Sequence, residues 1–487
     1  MSSTIDTTGS RVPDPVSPKV SMKTKLSYGY GSFGKDLSLA LVNVFLFFYL
    51  TDVAGVSAAT VGIIFLVARI WDTINDPIWG YIVAKTNTRW GKYKPWLIIG
   101  NILNFIFMVA CFSTHLFEGT AQVVYLTIVY IAWGMAYTVC DAPFWSLIPS
   151  ITLDKGEREG LLPYPRFAAT IGSYIAGGVG IYAVHLFGQG DDGLGYMIYA
   201  GIGGLLAVSS AWVTCKWTEQ NYAETSGDDF SLKDAFTIVT RNKFLIFLSL
   251  AFCFVIGCGV KDALNLYMFK YALHDESMFS TMMLAASVIA APTLIFFKPM
   301  VNAIGRKLVF TLAISLPFVA GGLLAIAAWG MAPLYPMVLL SGGITGFSTA
   351  VYWLLVMIMV ADTVDYGDVT FNMRSESMYY SLHTLLAKCS GAVSSAVVGL
   401  FLSMVDYVPN VEQSESTING IITLYWGVSV LCLVGCFIYL VKYRLNGSVL
   451  DDIQRTLTRR YVDSIVSKAV EKDPAEDKAA LERAMKK

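Results

Sequence analysis

The chain has 487 residues, 55% of them hydrophobic and only 15% charged, with a mean hydropathy of +0.57. Soluble globular domains carry roughly 25% charged residues, so an ordinary soluble protein is excluded. With 35 basic against 36 acidic residues the net charge is -1, which leaves no broad basic surface to hold nucleic acid by counterion release. The eight cysteines are scattered through apolar runs without a CxxC pair and read as reduced packing residues. The first 35 residues are polar and hold no apolar core of a secretory signal.

A helix needs roughly 20 apolar residues to cross a bilayer, because lipid offers no partner to an unpaired backbone group. That length predicts about twelve membrane-spanning helices, near 37–53, 57–84, 95–114, 121–149, 166–188, 194–216, 244–271, 279–299, 307–330, 332–361, 377–404 and 418–443. The stretch from Leu308 to Ala361 has no charged side chain and is broken only by Gly330 and Pro333, which reads as a helical hairpin in lipid.

Lys and Arg collect in alternate short loops, at Lys85 to Lys94, Lys155 and Arg158, Lys233 to Lys243, Arg306 and Lys307, and Arg374. The other loops are neutral or acidic, as at His115 to Glu118, Asp191 and Asp192, and Asp406 to Glu415. The positive-inside rule places both termini in the cytoplasm of a cell, or inner, membrane. The expected order is a cytoplasmic segment 1–35, a six-helix bundle 36–216, a cytoplasmic middle loop 217–243, a second six-helix bundle 244–443 and a cytoplasmic tail 444–487. A basic turn at Arg89-Trp90-Gly91-Lys92 recurs six spans later as Gly305-Arg306-Lys307, as two homologous halves would give.

An ionisable group at membrane depth costs at least about 2.5–3.5 kcal/mol and usually faces a cavity with a partner or a task. Lys35 and Asp36 open the first predicted span; Arg69, Asp72 and Asp76 lie in the second, Asp141 in the fourth, Lys261 and Asp262 in the seventh, Lys388 in the eleventh. Asp72 and Asp76 share one helix face one turn apart, with Asn75 beside them. Such a pair is relieved by a proton or by a small hard cation held on oxygen, such as Na+, with Thr138 supplying a further oxygen. The alternative is that Arg69 and Lys388 satisfy both carboxylates. Asp36 and Asp141 can each accept two hydroxyl hydrogens and Trp145 offers a stacking ring one turn from Asp141, which suits a polyol; Arg166 stands ready to donate to the same ligand.

At these residues the chain resembles the melibiose permease branch of the glycoside-pentoside-hexuronide cation symporters in the major facilitator superfamily. The matching strings are Lys25-Leu26-Ser27-Tyr28-Gly29 with Phe33-Gly34-Lys35-Asp36, Phe65 to Asp72 with Ile74-Asn75-Asp76-Pro77, Arg89-Trp90-Gly91-Lys92, Asp141 with Pro143-Phe144-Trp145-Ser146, and Val360 to Gly367. The resemblance implies an all-α membrane protein of twelve helices in two pseudo-repeat bundles. It implies a coupling-cation site at Asp72, Asn75, Asp76 and Thr138, with Na+ on Asp72 and Asp76, and a sugar site at Lys35, Asp36, Tyr137, Asp141, Trp145, Arg166 and Trp353. Lys388 matches the family's lysine near the cation site, and Thr384 lies one turn before it. Two departures stand out: His383 replaces a glutamine close to the sugar, and Lys261-Asp262 replaces uncharged residues.

The expected activity is therefore symport of a galactoside such as melibiose with Na+, Li+ or H+, by a protein functional as a monomer and needing no cofactor. Another glycoside or a hexuronide is the alternative, and a sugar sensor without transport a further one. An intramembrane aspartyl protease is disfavoured because its carboxylates must face each other from separate helices, whereas Asp72 and Asp76 share one; no HExxH motif, nucleophile elbow or phosphate loop is present.

Overall fold

In a computed structural model, the described residues run from 19 to 459, except 87, 152–156, 158–159, 219–240, 252, 372–375, 446, 448, 451, 454 and 458. Several helical side chains, among them those at 376–388, are also outside the description. The middle loop and the tail fall largely in these gaps.

The described residues are predominantly helical. Helix α1 (Met22–Leu41) is followed by two π-helical turns, Val42–Leu46 and Tyr49–Val53. Then come α2 (Ala58–Lys85), α3 (Lys94–Cys111), α4 (Gly119–Ile151), α5 (Pro163–Gly188) and α6 (Asp192–Trp217). The remainder is α7 (Lys243–Leu250), α8 (Cys253–Tyr267) with a π turn Met268–Ala272, α9 (Ser277–Ile295), α10 (Phe297–Ile304), α11 (Arg306–Ala328), α12 (Leu334–Phe371), α13 (Glu376–Met404), α14 (Glu415–Gly427) and α15 (Val430–Lys442).

Among the described residues, eight helical stretches are long and apolar enough to cross a membrane, the pair α14–α15 counting as one. Their outer faces carry exposed Ile128, Leu186, Val288, Ile295 and Phe437, side chains that water would not tolerate in such number but lipid does. The predicted hairpin appears as α11 and α12, joined at Gly330 with φ +72°. The first helix departs from expectation. It begins at Met22, capped by the Ser21 hydroxyl accepting from the Thr24 amide, and not near 37. Its first turns are polar, with Lys23, Lys25 and several Ser and Gly, and a hydropathy ruler passes over them. Lys35 and Asp36 consequently sit inside a long helix rather than at its mouth. Helix α12 likewise runs on to Phe371 through the charged Asp362, Asp365 and Asp368.

The helices pack into two compact bodies. The first lies within Met1–Asp228, Cys253–Tyr352 and Ala387–Leu433, so helices of both expected halves contribute to it; the second lies within Asp229–Phe252, Trp353–Leu386 and Val434–Lys487. In the second body, Phe244 meets Tyr366 and Tyr443 edge-on, and the Asn242 amide donates to the Thr363 carbonyl at 2.9 Å. In the first, α1 is gripped by α5 and α6, and α4 by α2 and α3. Close approach is bought with missing side chains: a Cβ on Gly172 of α5 would stand 2.7 Å from the Phe33 carbonyl oxygen of α1. Cys111, Cys140, Cys215, Cys389, Cys432 and Cys436 are free thiols.

Because backbone cannot yield as a flexible side chain does, Gly172→Val is expected to destabilise the protein by about 1–3 kcal/mol. The check is the melting temperature in detergent, which should fall, whereas Gly201→Ala, at a position open within 4 Å, should leave it unchanged.

Candidate functional site

Helices α1 and α4 converge on Lys35. Its ammonium is buried and donates to Asp36 Oδ1 at 3.2 Å, to the Tyr137 hydroxyl at 3.1 Å and to Asp141 Oδ1 at 2.6 Å. All three ammonium hydrogens are thereby used. The partners come from α1 and α4, so one cation binds two helices whose carboxylates would otherwise repel. Aromatic rings wall the charge: Lys35 Nζ lies 5.4 Å from the Tyr137 ring centre and 5.5 Å from those of Phe144 and Trp145.

Each carboxylate has a further donor. Ser32 Oγ donates to Asp36 Oδ2 at 2.8 Å, and Trp145 Nε1 donates to Asp141 Oδ1 at 3.2 Å. The Arg166 guanidinium from α5 lies 4.3 Å over the Trp145 ring. Two carboxylates, one ammonium and one guanidinium thus close to a neutral cluster. Asp141 is the more open of the two carboxylates, with 34% of its side chain accessible against 16% for Asp36, and Lys35 between them has 3%. The Asp141 carboxylate can accept from a hydroxyl, and Lys35 fixes the direction of both carboxylates.

One turn away on α4 lies a second group. Thr138 Oγ1 is 2.9 Å from Asp76 Oδ1 and 3.2 Å from the Gly134 carbonyl oxygen. Its single hydrogen can be donated to only one of these acceptors at a time, and the shorter contact is the one to the Asp76 carboxylate. Asp72 is buried, with Oδ2 accepting from Arg69 Nη1 at 3.1 Å, and a Cβ on Gly134 would come within 2.8 Å of Asp72 Oδ1. Asn75 is also buried, and its amide nitrogen has no hydrogen-bond partner among the described residues. Carboxylate, amide and hydroxyl oxygens are the donors a hard monovalent ion takes. No group of three His, Cys, Asp or Glu side chains occurs among the described residues, the pattern softer divalent metals need.

Of the residues singled out from the sequence, Lys35, Asp36, Tyr137, Asp141, Trp145 and Arg166 therefore come together, and so do Asp72, Asp76 and Thr138 with Asn75 on the intervening turn. Arg69 does satisfy Asp72 in part, as the alternative reading held. Trp353 belongs to the second body and is half exposed. The side chains of His383, Thr384 and Lys388 lie outside the described residues. Lys261 is buried with its ammonium 5.4 Å from the Tyr425 ring centre, and Asp262 beside it is exposed. Ser32, the second donor to Asp36, was missed; its spacing of four residues from Asp36 on a helix is the signal that marks it.

Residues 27–447 match the family described as MFS/sugar transport protein, and the chain belongs to that family. It is 29% identical over 428 residues to the isoprimeverose transporter of Lactiplantibacillus pentosus, covering 87% of this chain and 88% of that protein. It is 27% identical to a putative sulfoquinovose importer of Salmonella typhimurium, covering 84% and 86% respectively. In fold it is similar to the crystal structure of the nucleoside transporter NupG, with a TM-score of 0.64 over 87% of this chain and all of that one, at 15% identity. The protein is accordingly a multi-pass membrane transporter of sugars and not an enzyme. The relatives' names attach to isoprimeverose and sulfoquinovose, so the melibiose permease branch is narrower than what the comparison carries.

Removing one partner of a buried ion pair costs about 3–5 kcal/mol, because the other charge is stranded. Lys35→Met is therefore expected to lower the melting temperature and abolish uptake. Adding Asp141→Asn to it should restore much of the stability but none of the uptake, which thermal melts and vesicle assays on both variants would separate.

Proposed function

We propose that the protein is a cation-coupled sugar symporter that carries a galactoside such as melibiose inward with Na+, or with Li+ or H+. The observation that carries this reading is the double use of α4. Tyr137, Asp141 and Trp145 follow one another at four-residue spacing toward the Lys35 cluster, while Gly134 and Thr138 face Asp72 and Asp76. An ion that draws the Asp72, Asn75, Asp76 and Thr138 oxygens together must shift α4 against α2. The same shift sets the position of Asp141. Coupling free energies of this kind run about 1–3 kcal/mol and act reciprocally, so sugar tightens the ion as much as the ion tightens sugar.

The sugar is held by Asp36 and Asp141 accepting from its hydroxyls, with Trp145 stacking on its apolar face and Arg166 and Tyr137 completing the rim; Trp353 and His383 are assigned to the sugar on the family resemblance alone. Lys388 is the resting counter-charge of the cation site. That assignment follows the family resemblance; the described part of α13 runs antiparallel to α2, with the Gly399 backbone against Ala58 and Ser395 against Gly62. Thr384, one turn earlier, is assigned to the same coupling group. Twelve helices in two six-helix bundles, bounded as the sequence suggests, rock about this site in a monomer with both termini in the cytoplasm.

A second reading, another glycoside or a hexuronide, is favoured by Lys261, because a buried ammonium beside Tyr425 suits a carboxylate or sulfonate on the substrate. Competition of galactoside uptake by glucuronides separates the two.

In right-side-out vesicles an inward sodium gradient is expected to drive concentrative uptake of labelled galactoside. Asp76→Asn should abolish accumulation, leaving at most equilibration, and full accumulation by that variant or without any cation gradient would refute the assignment. Gly134→Ala, which crowds Asp72, should lower apparent sodium affinity by about tenfold, near the 1.4 kcal/mol that a displaced charged ligand easily costs; the sodium dependence of uptake reads it.

A further inference from the structure

The site proposed above leaves unused a second buried carboxylate, Asp52, in the last π turn of α1, at the opposite end of that helix from the N terminus. Its side chain is wholly inaccessible. Oδ1 accepts from Lys270 Nζ at 3.2 Å and from the Tyr271 hydroxyl, and Oδ2 accepts from the Tyr407 hydroxyl at 2.6 Å. The Asn410 amide donates to the Asp52 backbone carbonyl, and Lys270 donates to Asn410 Oδ1 at 2.8 Å. Next to it, the Thr51 and Tyr267 hydroxyls are bonded, and Tyr267 packs edge-on against Phe48 and Tyr407.

These partners lie on the π turn after α8 and on the connection between α13 and α14, more than 200 residues along the chain. A second seam closes the same end. Met283 and Leu284 of α9 fill the spaces over Gly177 and Gly178 of α5, Ser280 donates to the Gly177 carbonyl at 3.3 Å, and the His185 ring and Glu276 meet at 3.0 Å. A cavity of about 390 Å³ bounded by Asp52, His185, Asp191, Glu276, Lys270 and Asn410 opens just beyond.

We infer that Asp52 is a latch: its network with Lys270, Tyr271, Tyr407 and Asn410 holds the transport path shut at the end facing away from the cytoplasm. The inference deepens the symporter reading and takes its orientation from it. Stability alone would be served as well by apolar side chains of similar volume. A carboxylate ringed by hydroxyl, amide and ammonium donors differs in that every group is satisfied again by water when the halves part, so the seal is specific when closed and inexpensive to open. The neighbouring cavity brings that water to the latch. Asp52 is a positioning residue: it touches neither sugar nor coupling ion, and acts through the fraction of molecules closed at this end.

The test is a disulfide across the second seam in the full-length chain in native membranes. The Cβ of a residue placed at Gly177 would lie 3.5 Å from Met283 Cβ, inside the roughly 3.5–4.5 Å span of disulfides. Gly177→Cys with Met283→Cys is expected to cross-link under mild oxidant, to lose uptake as it does so, and to recover with reductant. Asp52→Asn in that background should slow cross-linking by about tenfold, the factor that one hydrogen bond to a charge commands. Tyr407→Phe, which keeps the carboxylate and removes one donor, should slow it in the same direction and serves if Asp52→Asn does not accumulate. An unchanged cross-linking rate in a monodisperse variant overturns the latch, as does failure of the parent pair to cross-link. Since this rate needs no substrate, absence of galactoside uptake with an intact latch effect would fault the substrate reading alone.

Discussion

A charge at the depth of a bilayer must find its counter-charge inside the protein, and this molecule meets that constraint chiefly through Lys35. One ammonium holds Asp36 and Asp141 from two helices and consumes all its hydrogens in doing so. Without it the two carboxylates would repel across α1 and α4. With it they are fixed and aimed as acceptors for a hydroxyl hydrogen. The rest of the site is arranged around that clamp: the Trp145 indole donating to Asp141, the Arg166 plane over Trp145, and the Tyr137 hydroxyl accepting from Lys35.

The same helix serves the second charged group. Asp72 is turned by Arg69 and pressed against Gly134, and Asp76 is met by Thr138. In the symport proposal a small ion there would exchange Thr138's hydrogen bond for coordination, and α4 would carry that change to Asp141 through packing alone. Two further charges, Asp52 and Lys270, meet far from both groups and need neither ligand, which is why they suit the opening and closing of the path rather than recognition.

Much of this was legible in the sequence. Charges are so rare in the apolar runs that Asp36, Asp72, Asp76 and Asp141 stand out by cost alone, and the spacing of Asp72 and Asp76 fixes a shared face. Partnership across helices was not legible from spacing: that Lys35 is the hub, rather than one more pocket residue, follows from a convergence of α1 and α4 that no local pattern encodes. The polar start of α1 hid the helix from Met22 onward, because Ser, Gly and Lys depress hydropathy while still packing against α5 and α6. Asp52 escaped for the opposite reason. It follows an apolar run and reads as the ordinary acidic end of a span, and only its contacts with Tyr271 and Tyr407, distant in sequence, show it to be buried.

The account is tested most directly by titrating a galactoside into the purified protein calorimetrically at increasing sodium, and sodium at increasing galactoside. Reciprocal tightening is predicted, the sugar Kd falling with sodium by the same factor as the sodium Kd falls with sugar. A sugar affinity indifferent to sodium, lithium and pH alike would contradict it.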